Sequence, residues 1–243
     1  MPLFNEEDGI ESTLQDLDRE IHRLDVKCFY FIQDDCSTDS SLQVLKRLEP
    51  TLLGSLEIES NNTNLRHGPT TRRAYVRASK SECEIIVQLD SDGQFDPSEI
   101  ATMLGLFIST RSADLLVGAR RNRTDPWFRK FITRGLRLLV LIRFGVNSPD
   151  PNSPIRFVRK QTLRPMIDCL PLNVFTPNIL LTILYHKRHT NILYIPTKHT
   201  VRRGVSETGT MWTQPRSKLT IPRSLLKLCF AATGQIVFSR IKS

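Results

Sequence analysis

Apolar positions along the first half of the chain switch repeatedly between two periods. Ile10, Leu14, Leu17, Ile21 and Leu24 recur at three- and four-residue spacing, which predicts an amphipathic helix. Residues 29–33 (FYFIQ) form a short apolar run and predict a buried strand. Ser37 then offers an N-cap for a helix to Leu48. A weak strand is expected near 56–59, a helix near 69–80 and a strand over 84–89. Asp96 and Pro97 read as N-cap and first residue of a helix to Ser109. Residues 114–118 read as a strand ending at Gly118. Such alternation implies an α/β fold, a mostly parallel sheet with helices on both faces. With 243 residues, 40% of them hydrophobic, the chain can bury one substantial core in a single domain. No internal repeat, low-complexity tract or linker interrupts it.

Two of these strands end abruptly in carboxylates. Residues 29–39 read FYFIQDDCSTD and residues 84–94 read EIIVQLDSDGQ. Ligands of open α/β sheets bind beyond the carboxyl ends of the strands. Two neighbouring strands ending in Asp would build an acidic rim suited to a divalent cation. If the second strand runs on to Gln94, then Asp90, Asp92 and Gln94 fall on one face at alternate positions. All three present oxygen, the donor that Mg²⁺ and Mn²⁺ prefer, and substrate phosphates complete such shells. A solvated turn is the competing reading, because Asp-Ser-Asp-Gly is also good turn composition.

Pro2-Leu3-Phe4-Asn5-Glu6-Glu7, Asp34-Asp35-Cys36-Ser37-Thr38-Asp39 and Asp90-Ser91-Asp92-Gly93-Gln94 resemble, in order and spacing, the successive motifs of family-2 glycosyltransferases with the GT-A fold. Gly118-Ala119-Arg120, the stretch Arg129 to Arg134, Asp150-Pro151-Asn152-Ser153-Pro154-Ile155-Arg156 and Arg202-Arg203-Gly204-Val205-Ser206 extend the resemblance to the polyprenyl-phosphate sugar synthase branch. It covers nearly the whole chain.

The resemblance implies one GT-A domain over residues 1–243. Residues 1–118 form its nucleotide- and metal-binding half, and residues 119–243 its basic, acceptor-binding, membrane-proximal half. It implies an inverting hexosyltransferase that passes a sugar from a UDP- or GDP-sugar to a polyprenyl or dolichyl phosphate. Mg²⁺ or Mn²⁺ would sit on Asp90, Asp92 and Gln94. Pro2, Phe4, Glu6, Asp34, Asp35, Asp90 and Ser91 would hold the nucleotide. Arg120, Arg134 and Arg202 would meet phosphates, with Arg129 and Arg137 as alternatives to Arg134. Asp90, Asp92 and Asp150 are the catalytic candidates. For each arginine the competing reading is a surface ion pair.

Three features depart from the family. A full apolar strand normally precedes the Pro-x-x-Asn-Glu motif, whereas here the sequence opens at Met1-Pro2. A shortened sequence, a misplaced start and an incomplete edge to the nucleotide site each account for that. Phe4 stands where the family usually has Tyr. Asn64-Leu65-Arg66-His67-Gly68-Pro69 replaces a glycine-richer turn.

The net charge of +9 conceals a division. Residues 1–110 carry 10 Lys and Arg against 20 Asp and Glu, whereas residues 111–243 carry 24 against 5. The acidic half holds the candidate metal motifs. The basic half suits an anionic substrate or an anionic membrane surface; nucleic acid would explain the charge but not the Asp motifs. After Gly118 the only acids are Asp125, Asp150, Asp168 and Glu207. A sugar-hydroxyl acceptor needs a placed general base, whereas a lipid phosphate is already anionic. This scarcity tilts the reading towards a phosphate acceptor. His199 lies near the Arg202 loop and is read as structural or as a further phosphate or metal contact.

Residues 132–146 (ITRGLRLLVLIRFGV) and 225–238 (LLKLCFAATGQIVF) are apolar and flanked by basic side chains. Both are shorter than the ~20 residues that span a bilayer and suit interfacial or core helices. No signal peptide heads the sequence, and the five cysteines show no metal or disulfide spacing. The expectation is a cytoplasmic protein, peripheral at a membrane and assisted by a membrane-embedded partner subunit. Two other readings stand beside it: a family-2 enzyme acting on a glycan hydroxyl, and a non-catalytic membrane-associated scaffold.

Overall fold

The computed structural model describes residues 1–121, 127–198, 200, 202, 231 and 233–236. Three strands, β1 (Pro2–Leu3), β2 (Phe29–Asp34) and β3 (Ser55–Ser60), pair in parallel in that order. Four more, β4 (Ile85–Gln88), β5 (Leu115–Arg121), β6 (Arg156–Arg159) and β7 (Ile192–Lys198), pair in the order β4-β6-β5-β7. β6 runs antiparallel to both β4 and β5, while β5 and β7 are parallel. The α/β expectation holds, with β6 reversed within the four-stranded sheet.

Helices α1 (Ile10–His22), α2 (Ser41–Leu48), α3 (His67–Ala78), α4 (Pro97–Ser109), α5 (Trp127–Phe144), α6 (Lys160–Ile167) and α7 (Pro177–Lys187) flank these strands. β2 and β4 are largely covered on both faces, whereas β3 alternates and exposes Glu57 and Glu59. Tyr30 and Ile32 of β2 enter one core with α1, α2 and α4, whereas Phe31 packs against a second core containing residues of α3, α6 and α7. The helical stripe read at Ile10, Leu14, Leu17 and Ile21 is buried throughout. At α4 the Asp96 carboxylate accepts from Ser98 N–H at 2.9 Å, ahead of Pro97. Cys28, Cys36, Cys83 and Cys169 are free thiols.

Several local expectations need correction. Ser40, not Ser37, flanks the start of α2. Ser37 is drawn away because its N–H donates to the Asp34 carboxylate at 3.1 Å and its hydroxyl accepts from Asn5 N–H at 3.0 Å. β4 ends at Gln88, so the conditional run of the strand to Gln94 is not met and the competing turn reading holds, with Gly93 at φ +66°. α3 begins two residues before the expected start, because Pro69 is tolerated in a first helical turn. Its Gly68 is required by packing: a Cβ there would meet the Val174 carbonyl oxygen at 2.0 Å.

No helix of the described residues is long and apolar enough to cross a membrane. Segment 132–146 is helical from its start to Phe144, within α5. Most of segment 225–238 lies outside the described residues; of its described part, Ile236 is fully buried in the second core.

Candidate functional site

The two Asp motifs have different local fates. In the first, register places Leu3 of β1 beside Asp34 of β2, and Asp35 N–H donates to the Leu3 carbonyl at 2.8 Å. Asp34 and Asp35 are both buried. Asp34 accepts from Ser37 N–H. One oxygen of Asp35 accepts three donors at 2.8 Å each: Asn61 Nδ2, Leu65 N–H and Thr70 Oγ1. Asp35 therefore ties the end of β2 to the loop before α3. Pro2 belongs to β1, and Phe4 lies half-buried just beyond it.

In the second motif the turn after β4 brings Asp90, Asp92 and Gln94 into one small cleft. Phe95, Arg120, Pro154 and Ile155 complete its lining. Gln88 Nε2 donates to Asp90 Oδ1 at 3.2 Å, and Gln94 N–H donates to Asp92 Oδ1 at 3.1 Å. Ser91 is buried between the two carboxylates in sequence. Burial, then the charge of Asp90, pushes the Asp92 carboxyl up to about 6, against opposing pulls from Gln94 N–H, Arg202 and His67. Two crowded carboxylates and an amide oxygen in a cleft form a hard, oxygen-rich donor set, which fits Mg²⁺ or Mn²⁺. Among the described residues no group of three His, Cys, Asp or Glu side chains could hold a metal unaided. Other oxygens would have to complete the shell.

Arg120 closes one side of this cleft and is fixed by Asp150. Its Nε lies 2.7 Å from Asp150 Oδ2 and its Nη2 lies 3.1 Å from Oδ1, and both side chains are almost fully buried. Asp150 thus accepts a two-point ion pair within the basic half. The loop around it is held from below by Arg156, which is fully buried at the start of β6. Arg156 donates to the carbonyls of Ser153 at 2.9 Å and Pro151 at 2.7 Å, and to Thr182 Oγ1 at 2.8 Å. Ser153 Oγ bonds the Gly118 carbonyl, which joins that loop to β5.

The segment after β7 returns to the same place. Thr200 Oγ1 donates to the Gly93 carbonyl at 3.2 Å, and Arg202 pairs with Glu6. Burial pushes the Glu6 carboxyl up to about 7, although Arg202 pulls it down. The structure therefore gathers Glu6, Asp90, Asp92, Gln94, Arg120 and Arg202 around the Asp turn. Arg134 is not among the cleft's lining residues; it is exposed on α5, as is Arg137. The Arg129 side chain, His199 and Arg203 to Ser206 lie outside the described residues.

Sequence reasoning passed over His67 and Arg156. The His67 ring stands 3.9 Å from Asp90 Oδ1 at the start of α3, behind Arg66 at φ +73°. A non-glycine residue at positive φ has no sequence signal of its own. Arg156 sat inside a quoted motif, but a fully buried arginine becomes legible only once its carbonyl partners are placed.

Comparison with known proteins gives this site its context. Residues 1–172 match the family model described as glycosyl transferase family 2. A curated relative, an undecaprenyl-phosphate 4-deoxy-4-formamido-L-arabinose transferase of Proteus mirabilis (strain HI4320), is 23% identical over 184 residues, covering 73% of this chain and 53% of the relative. The enzyme with the same description from Sodalis glossinidius (strain morsitans) is 23% identical over 202 residues, covering 83% of this chain and 59% of its own. The chain thus spans little more than half the length of these relatives. Among solved structures, Mycobacterium tuberculosis glucosyl-3-phosphoglycerate synthase in complex with Mn²⁺, uridine diphosphate and phosphoglyceric acid superposes with a TM-score of 0.65 at 17% identity, covering 97% of this chain and 74% of that one. Mannosyl-3-phosphoglycerate synthase from Rubrobacter xylanophilus gives 0.63 at 14%, covering 97% and 70%. These neighbours share the GT-A architecture. On its matched residues, the chain belongs to glycosyl transferase family 2.

Proposed function

We propose that this protein is a metal-dependent, inverting glycosyltransferase that moves a sugar from a UDP- or GDP-sugar to a polyprenyl phosphate. The observation that carries this reading is the cleft in which Asp90, Asp92 and Gln94 face Arg120. Residues 1–118 form the donor half, and residues 119–243 the acceptor half. Pro2, Phe4, Glu6, Asp34, Asp90 and Ser91 line the nucleotide, while Asp35 supports it by holding the loop before α3.

Asp90, Asp92 and Gln94 would hold Mg²⁺ or Mn²⁺ beside the donor's diphosphate. The cation, when bound, supplies neutralisation of the charge that grows on the departing nucleoside diphosphate. Arg120 and Arg202 add donors to those phosphate oxygens. An acceptor phosphate oxygen forms a bond to the anomeric carbon as its bond to the diphosphate oxygen breaks. No proton needs to move. That agrees with Asp150, whose carboxylate is engaged by Arg120 rather than poised as a base. The named activity of the curated relatives, sugar transfer to undecaprenyl phosphate, supports the same acceptor class. We assign the protein to the cytoplasmic face of a membrane, peripheral through its basic half and joined there by a membrane-embedded subunit.

The test is a panel of radiolabelled UDP- and GDP-sugars with Mn²⁺ or Mg²⁺, offered undecaprenyl phosphate, undecaprenol or an oligosaccharide. The expected product is a sugar phospholipid from one donor, lost in EDTA and absent with undecaprenol. Transfer to the oligosaccharide instead would establish a glycan-hydroxyl enzyme. Binding of no donor would establish a scaffold.

A further inference from the structure

One hydrogen bond to Asp90 comes from outside the cleft. Gln88, the last residue of β4, donates through Nε2 to Asp90 Oδ1 at 3.2 Å and does not itself line the cleft. Two further polar side chains stand behind it. Gln88 Oε1 accepts from Asn178 Nδ2 at 3.1 Å, and the Tyr75 hydroxyl lies 3.1 Å from Asn178 Oδ1 and 3.4 Å from Gln88 Oε1. Tyr75 belongs to α3, and Asn178 to the first turn of α7, 90 residues beyond Gln88 in sequence. All three are buried: Tyr75, Asn178 and Gln88 are 2%, 3% and 4% exposed.

The direction of these bonds is set from one end. A carboxylate only accepts, so Gln88 turns its NH2 to Asp90 and its carbonyl to the interior. Asn178 meets that carbonyl with its own NH2 and shows its carbonyl to the Tyr75 hydroxyl. Burial pushes the Tyr75 hydroxyl up, so it stays protonated and donates. One order of donors therefore runs from Tyr75 through Asn178 and Gln88 to Asp90. Tyr75, Ile86 and Ile179 are part of the second core, where apolar side chains would avoid the desolvation of buried amides. What a fully bonded polar chain adds there is a single geometry.

We propose that Gln88 and Asn178 are positioning residues for the metal-binding carboxylate: the buried chain from Tyr75 through Asn178 and Gln88 fixes the rotation of Asp90 and so sets how tightly the Asp cleft takes a divalent cation. This rests on the reading of that cleft as a metal site. Side chains that orient a metal ligand from behind change metal affinity by about 10–100-fold. The same helix also reaches the other side of the cleft. Thr182, one turn after Asn178, accepts from Arg156 at 2.8 Å and donates to the Pro151 carbonyl at 3.1 Å, in the loop that carries Asp150. α7 thus braces the Asp turn through Asn178 and the Asp150 loop through Thr182.

The test titrates Mn²⁺ into the full chain with UDP or GDP present, reading free Mn²⁺ by electron paramagnetic resonance and the Tm alongside. Gln88→Met keeps the volume but cannot donate to Asp90. Asn178→Leu removes the donor behind Gln88. Each should raise the Kd for Mn²⁺ at least about tenfold. The double variant should bind no more weakly than Gln88→Met, because Asn178 acts only through Gln88. Tyr75→Phe, at the far end, should weaken binding less than either. A folded Gln88→Met that binds Mn²⁺ as the parent does overturns the proposal and makes the chain purely structural, whatever its Tm. Losses that add in the double variant overturn it too, since Asn178 would then act elsewhere. If Asn178→Leu does not fold, Gln88→Met decides alone. A parent that binds no Mn²⁺ with either nucleotide overturns the metal reading itself, a failure seen before any variant is made.

Discussion

Arg120 grips Asp150 through two hydrogen bonds, Nε to Oδ2 at 2.7 Å and Nη2 to Oδ1 at 3.1 Å, with side-chain exposures of 11% and 6%. This pairing separates two roles for Asp150. A general base must be free to take a proton; a carboxylate held at two points by a guanidinium instead aims the arginine.

The first prediction follows. Asp150→Ala leaves a buried arginine without this partner, and breaking a buried pair costs about 3–5 kcal/mol of stability. Asp150→Asn should fold but lower the rate of transfer at least tenfold, because Arg120 loses its two-point hold. The acidic limb of the pH–rate profile should survive in Asp150→Asn. Disappearance of that limb, with an unshifted Tm, would identify Asp150 as the base and favour a hydroxyl acceptor.

The second prediction concerns pH without metal. Burial raises Asp92 from 3.8 to about 6, so between these values the folded state binds the proton that the unfolded state has lost. Stability must then fall as pH rises through this window, by about 1.4 kcal/mol per unit. Glu6, raised from 4.5 to about 7, extends the decline upward in pH. Asp92→Asn removes the first contribution. In EDTA it should flatten the fall in Tm between pH 4 and 6 and be more stable than the parent at pH 8 by roughly 5 °C, while transfer is lost. An unchanged slope would mean that Asp92 is not strained by its surroundings. Active-site residues that oppose stability in this way are a known trade-off.

The sequence disclosed the elements whose patterns are local. α1 carries its apolar stripe at helical spacing, and α4 announces itself through Asp96 and Pro97. β2 and β4 are continuous apolar runs that end in polar residues. What stayed hidden depends on distant partners. β6 reads Arg-Phe-Val-Arg, and nothing in that short pattern marks its first arginine as buried; the Pro151 and Ser153 carbonyls that receive it come from the preceding loop. α7 is buried from Pro177 to Tyr185, so no polar face marks its period. The Asp90 segment left two readings open, because alternation of Asp, Asp and Gln mimics a pleat while Asp-Ser-Asp-Gly suits a turn; the end of β4 at Gln88 and the positive φ of Gly93 decide for the turn. In the site, Asp90, Asp92, Gln94, Glu6, Arg120 and Arg202 gather as a group. Arg134 could not be separated by spacing from the exposed arginines of the same helix.

The last prediction concerns α5. Leu138, Leu141 and Ile142 are exposed at 55%, 42% and 75%, whereas Val140 on the same helix is buried at 1%. Arg134, Arg137 and Arg143 are exposed beside them. One face of the helix thus serves the core, and the other offers apolar side chains ringed by cations. An anionic bilayer surface fits that face: apolar groups enter the interface, and each basic residue near it adds about 1 kcal/mol of attraction. Ile142→Asp removes a fully available apolar side chain, worth about 1.5–3 kcal/mol on burial, and adds repulsion from the lipid headgroups. It should weaken partitioning into phosphatidylglycerol vesicles at least about tenfold. Binding of a UDP- or GDP-sugar with Mn²⁺ should not change, because Ile142 is not among the residues that line the Asp cleft. Raising salt should release the parent protein from the same vesicles and hardly alter the small residual binding of the variant to neutral ones. Unchanged sedimentation of Ile142→Asp with anionic vesicles would exclude α5 as the docking face and move the search to the basic segments beyond Arg202.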